Sequence, residues 1–349
     1  MDAWKWKRNI CIMVLGAFNV ESLSGATPPY KWVSDPWSIF VTFMFYGLSL
    51  LVIEDLVSRY SLDYRKLLLI GFIYGILEEG FLALTNLLPG YSQIAVGYGR
   101  YLGLNVPWAV FISEFHAIYT VVLTFIIADI IIPRKKMGPV LSKWQYVPVL
   151  GYLAMLYLLV PNYVLNVVNT SQHFAFLLFR PQFFLNNFIL INSARFHPTW
   201  ESIVIQLAAI LVLSLLVIHM PTLDLTSSEK GFVGWKVYVA LVLIFELMFW
   251  IPYILKFLGG PDFLAVIYYL VLPLAFWKLI LSKIRRDDSF DQRKVAGMAL
   301  TLLLFFGGVG IIVYCVMGDL LGLIIISVAL WIEVELVTRK YFVLRLFKR

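Results

Sequence analysis

Apolar runs of about twenty residues recur along the whole chain, separated by short clusters rich in basic residues, Gly, Pro and Asn. Each run is long enough to cross a hydrocarbon core of ~30 Å at ~1.5 Å per residue. The runs show no two-residue alternation, so they predict helices rather than barrel strands. Inside a bilayer only helices and closed barrels satisfy their own backbone polar groups. The pattern therefore predicts an all-α fold, a polytopic transmembrane helix bundle forming one membrane domain over residues 1–349. Its spans fall near 9–26, 37–57, 67–88, 106–132, 146–168, 201–220, 235–258, 263–282, 296–317 and 319–338.

Two stretches fit this frame less simply. The first span carries Glu21 and breaks at Ser24-Gly25-Ala26-Thr27-Pro28-Pro29. With Lys5, Lys7 and Arg8 ahead of it, it also reads as a signal peptide. The stretch 170–200 is apolar but interrupted by Arg180-Pro181 and Asn186-Asn187. It predicts an interfacial helix or a lid over the outer face, or a segment packed onto the bundle.

Composition agrees: 61% of residues are hydrophobic, 14% charged, and the mean hydropathy is +0.85. A soluble domain carries about 25% charged residues. The net charge of +7 does not point to nucleic acid, because the basic residues sit in short blocks between apolar runs. With the N-terminus inside, 23 of the 28 Lys and Arg residues fall on the inner side and 5 on the outer. This bias runs through every loop and predicts a multi-pass protein of the cell membrane with both termini cytoplasmic. The tail from Tyr341 to Arg349 mixes aromatic and basic residues and suits an anionic inner leaflet. Cys11 and Cys315 both lie in apolar runs and imply neither a disulfide framework nor a metal. The two halves share no motif that would mark an inverted repeat.

The candidate chemistry lies in the third and fourth spans. The third reads Gly71-Phe72-Ile73-Tyr74-Gly75-Ile76-Leu77-Glu78-Glu79-Gly80, with two adjacent glutamates at its centre. A charge at mid-membrane costs ~2.5–3.5 kcal/mol on insertion scales, so the pair requires a partner or a wet cavity. Gly71, Gly75, Glu79 and Ala83 share one face, a small-residue stripe that lets a neighbouring helix approach and turns Glu79 inward. The fourth span runs the opposite way and carries Glu114 and His116. His116 falls at the depth of the glutamates, where carboxylate and imidazole stabilise each other's charge. Glu78, Glu79 and His116 are thus the candidate catalytic residues, and Glu114, Arg100 and Glu246 the candidate binding residues. Arg100 is a candidate cap for the glutamates from the outer side. Pro161, Asn162 and Asn166 predict a kinked fifth span with polar lining or interhelical hydrogen bonds. Glu54, Asp55, Asp129, Glu333 and Glu335 lie near inner helix ends, where carboxylates reach water cheaply, and carry no functional expectation; His219 belongs with them. The four histidines give no metal-ligand spacing, so no metal is expected from spacing, although Glu78, Glu79 and His116 are ligand types able to hold one ion. No cofactor is indicated.

Three stretches together, Ser24 to Pro29, Tyr74 to Gly80, and Tyr98-Gly99-Arg100 through Trp108 to His116-Ala117, resemble a group of uncharacterised multi-spanning prokaryotic, largely archaeal, membrane proteins. The likeness covers about the first 140 residues. A fainter likeness is to CAAX-protease-like intramembrane hydrolases, which carry paired glutamates followed by arginine, a Phe-x-x-x-His helix, and His-x-x-x-Asn. That resemblance implies a glutamate activating water against a peptide bond, with Glu78, Glu79 and His116 matching its first two elements. Here Ala83 stands where arginine is expected and Ile112 where phenylalanine is expected. No histidine is followed by Asn or Asp four positions on; His197 with Glu201 comes nearest.

Three functions fit these residues. First comes a polar network that fixes helix packing or scaffolds a protein partner. The alternatives are an intramembrane hydrolase using Glu as general base on a membrane-embedded peptide, and a proton- or cation-coupled transporter. The lipid bilayer is the common partner in all three.

Overall fold

The computed structural model describes residues 3–87, 100–134, 139–170, 199–221 and 292–340, with isolated residues between 236 and 271. The chain is an all-α membrane protein. Helix α1 (Ala3–Phe18) continues as a π-helical turn over Asn19–Leu23, and a short α2 (Lys31–Ser34) leads into α3 (Pro36–Tyr60). Helix α4 (Tyr64–Leu77) also ends in a π-helical turn, Glu78–Leu82. The fourth predicted span is one continuous rod: α5 (Val106–Phe115), a π-helical stretch (His116–Leu123) and α6 (Thr124–Ile131). Then come α7 (Lys143–Thr170), α8 (Trp200–His219), α9 (Gln292–Met317) and α10 (Leu320–Thr338). Among the described residues, five helices are long and apolar enough to cross a membrane. The spans predicted at 235–258 and 263–282, the 170–200 segment and the tail after Lys340 lie largely or wholly outside the described residues.

Local chemistry sets several of these boundaries. Asp63 caps α4 by accepting from the backbone amides of Arg65 and Lys66, both at 3.0 Å. Thr199 and Asp319 do the same for α8 and α10. Two short strands, β1 (Arg100–Tyr101) and β2 (Leu104–Asn105), pair antiparallel before α5. Leu102 and Gly103 turn between them with φ of 48° and 82°, the left-handed pair that a two-residue hairpin needs.

Helix α4 stops earlier than the span 67–88 implied. Leu84 adopts a left-handed φ of 57°, and the Asn86 amide donates back to the Glu79 carbonyl at 3.2 Å. The glutamates therefore stand in the last turn of the helix instead of at its middle. They lie about 22 Å along the axis from Tyr64, at ~1.5 Å per residue.

Helix α1 is packed as a member of the bundle. It lies along α3, and its Ile12 and Ala17 are fully buried, as is Leu50 opposite. The Tyr314 hydroxyl of α9 donates to the carbonyls of Ser22 and Thr27 at 2.9 and 3.0 Å, which ties the exit of α1 to the far end of the chain.

The inner face differs from expectation. Glu54, Asp55 and Asp129 are not solvated helix-end charges. Arg8, with no exposed surface, donates to Glu54 at 2.7 Å and to the Ile132 carbonyl at 2.6 Å, and pairs with Asp129 at 2.7 Å. Arg134 reaches Glu54 at 3.1 Å. Asp55 accepts from the amides of Val140 and Leu141 and from Arg59 and Tyr146. The positive charges that mark this side in the sequence thus fold inward and neutralise the carboxylates, which removes the need for water. Lys5 reaches the Pro139 carbonyl and Arg65 that of Pro221, so the loops assigned to the inner side lie on one end of the bundle. Leu102 and Thr199 meet at the other, Thr199 donating to the Leu102 carbonyl at 2.7 Å.

Candidate functional site

Gly71 and Gly75 make the site possible. A Cβ on Gly71 would stand 2.6 Å from the Cα of Ala117, and one on Gly75 would stand 2.7 Å from that of Ser113. Only glycine lets α4 lie this close to the α5–α6 rod. The contact brings the last turn of α4 against His116, as the small-residue stripe implied.

Glu78, Glu79 and His116 converge. His116 Nε2 lies 3.0 Å from Glu79 Oε1, and Nδ1 lies 3.3 Å from Glu78 Oε2. Nδ1 is also 2.9 Å from Thr120 Oγ1, one turn on. The other Glu79 oxygen accepts from the Thr85 hydroxyl, which accepts from the Trp108 indole at 2.9 Å. Glu78, Glu79 and His116 are each at least nine-tenths buried. The imidazole is walled by aromatic rings: Tyr46 stacked at 6.5 Å, and Tyr74 and Phe115 edge-on at 5.7 and 5.3 Å.

Sequence reasoning missed part of the site. Glu21, met there only as a blemish in the first span, stands in electrostatic range of His116 and Glu79 and takes the Thr27 hydroxyl at 2.5 Å. Tyr46 lies between Glu21 and Glu78, close to both carboxylates. Gln206 of α8 approaches next to the glutamates because Gly80 has no side chain; a Cβ there would fall 1.9 Å from Gln206 Oε1. Asn86 donates to that same oxygen at 3.2 Å. An intramembrane carboxylate at residue 21 was the available signal.

The other candidates are placed differently. Arg100 does not cap the glutamates: its guanidinium donates to the carbonyls of Leu87 and Gly103, both at 2.6 Å, and holds the hairpin. Glu114 is buried on α5. Glu246 lies outside the described residues.

Three π-helical segments carry this cluster. Glu21 is on the first, Glu78 and Glu79 on the second, and His116 and Thr120 on the third. A π turn widens the helix and offsets side chains from the α-helical stagger, which is why such turns concentrate at functional sites. The offset lets neighbouring Glu78 and Glu79 reach one ring from two sides.

The electrostatics follow from the inventory. A neutral imidazole donates from one nitrogen only; the doubly protonated ring donates from both. Each ring nitrogen faces a carboxylate oxygen. Acidic groups outnumber this one basic ring, with Glu21 as a third. Ligand atoms of Glu78, Glu79 and His116 lie within 4.8 Å of one another, compact enough to hold one metal ion. The arrangement can store a proton, hold a cation, or draw a proton from water.

No curated protein and no solved structure matches the chain. Residues 10–344 match a family described as an uncharacterized membrane protein family, well beyond the first 140 residues that carried the resemblance. With nearly its whole length matched, the chain belongs to that family.

Proposed function

We propose that the protein is a proton- or cation-coupled membrane transporter whose exchangeable ion is held by Glu78, Glu79 and His116. The observation that carries this reading is the clamping of one imidazole between two buried carboxylates. A packing network gains most from balanced charge, because any excess is desolvated without return. Here acidic side chains outnumber the one basic ring where charge is costly, and a mobile proton or cation supplies the balance. Both ring nitrogens and Glu79 are engaged within the cluster, which leaves little of the open, substrate-facing geometry a general base needs.

The test is reconstitution. Proteoliposomes with a pH dye in the lumen should acidify or alkalinise under an imposed proton or cation gradient. Glu79→Gln should abolish that flux while the protein remains folded. A silent wild type across proton, sodium, potassium and divalent gradients would overturn the reading. If Glu79→Gln also lowers the melting temperature in detergent, the cluster is the packing network instead.

The hydrolase reading keeps one specific support: the paired glutamates and the histidine sit on successive antiparallel helices and touch, as the CAAX-protease likeness implies. Ala83 and Ile112 depart from that pattern. Cleavage of membrane-embedded peptides by wild type but not by Glu79→Gln would favour it over transport.

A further inference from the structure

Glu333 of α10 was expected among solvated inner carboxylates. It is 5% exposed, and its Oε2 has no protein hydrogen-bond partner. It does not stand alone. Tyr119, one turn beyond His116 on the same π-helical stretch, lies in electrostatic range of Glu333 and is fully buried, with its hydroxyl likewise unpartnered. Thr124 Oγ1 and both amide atoms of Asn19 are also fully buried and unpartnered among the described residues. The elements that carry them are packed together: α10 against α6 and the Asn19–Leu23 turn, and that turn against the His116–Leu123 stretch. Cys11, one turn from the Arg8 network, also lies in range of Glu333.

Five orphaned polar atoms on four side chains thus sit on mutually packed elements that also carry residues of the His116 cluster and of the inner-face ion pairs. Buried polar groups are nearly always satisfied, by protein or by internal water. Internal waters, each making about three hydrogen bonds, are the usual partners of such groups. We propose that Glu333, Tyr119, Thr124 and Asn19 line a water-filled path that carries protons between the inner face and the Glu78/Glu79/His116 cluster, with Glu333 as its proton relay. The path ends at the ion site of the transport reading, and its role in flux rests on that reading. The presence of water along it does not.

Two measurements separate the claims. Hydroxyl-radical footprinting of the intact protein in nanodiscs labels side chains next to bound water even where bulk solvent is excluded. Tyr119 should be modified several-fold faster than Phe125, an equally buried ring on the same rod. A Tyr119 rate no higher than that of Phe125 overturns the path, whatever the flux assay shows. In proteoliposomes, Glu333→Gln should slow the wild-type flux about tenfold or more, as loss of a proton-transfer group does, with unchanged melting temperature. Undiminished flux in that variant removes Glu333 from the relay. Fast Tyr119 labelling in a protein without flux leaves the wet path standing and sinks the transport reading instead.

Discussion

Arg8 shows how differently one residue reads in sequence and in structure. In the chain it is one of three basic residues before an apolar run, which is what a topology signal looks like. In the folded protein it is completely buried, and it holds Glu54, Asp129 and the end of α6 together. Removing one partner of a buried pair strands the other charge, at a cost of about 3–5 kcal/mol. Arg8→Met should destabilise the protein by that amount in detergent unfolding, whereas an exposed basic residue such as Lys143 should be replaceable within about 0.5 kcal/mol. Glu78, Glu79 and His116 were legible at this scale because charge in an apolar run is conspicuous, and antiparallel neighbours place equal depths together. Glu21 was equally conspicuous. It escaped because its own helix is far from the pair in sequence and only the tertiary fold brings them together.

At the scale of elements, the hydrophobic pattern located most described helices to within a few residues. The largest misses were the start of α1, at Ala3 instead of residue 9, and the end of the π-helical turn that closes α4, at Leu82 instead of 88. Neither boundary has a local signal. Phe81, Leu82, Leu84 and Leu87 continue the apolar pattern past the turn, and only the packing around Asn86 and Gln206 breaks it. The glycine stripe was the most informative feature, since it named both the helix face and its closest contact. Gly75→Ala should push α4 away from Ser113 and cost about 1–3 kcal/mol, as overpacking does. It should also impair any activity of the cluster, because the Glu79 to His116 contact depends on that approach. Unfolding and flux measured on the same preparation check both halves.

For the molecule as a whole, the asymmetry of basic residues predicts a sidedness: the loops assigned to the inner side meet at one end and the Leu102–Thr199 contact lies at the other. Cysteine substitution tests it, in a Cys11→Ser, Cys315→Ser background. Tyr101 and Tyr60 are 58% and 64% exposed at opposite ends. In intact cells Tyr101→Cys should react with a membrane-impermeant thiol reagent, and Tyr60→Cys should react only after permeabilisation. The reverse result would invert the topology. What the sequence could not convey at this scale is the neutralisation of the inner carboxylates, since it depends on α1, α3 and α6 closing on one another.

The three widened turns have an evolutionary reading. A π turn amounts to one surplus residue in an otherwise α-helical register, and losing it would turn everything beyond by ~100°. Excising Val122 would therefore restore ordinary helical pitch downstream of His116 and also swing Asp129 off Arg8. The register of the Glu78/Glu79/His116 cluster and that of the inner-face clamp are set by the same rod. An insertion or deletion between His116 and Asp129 therefore shifts one against the other.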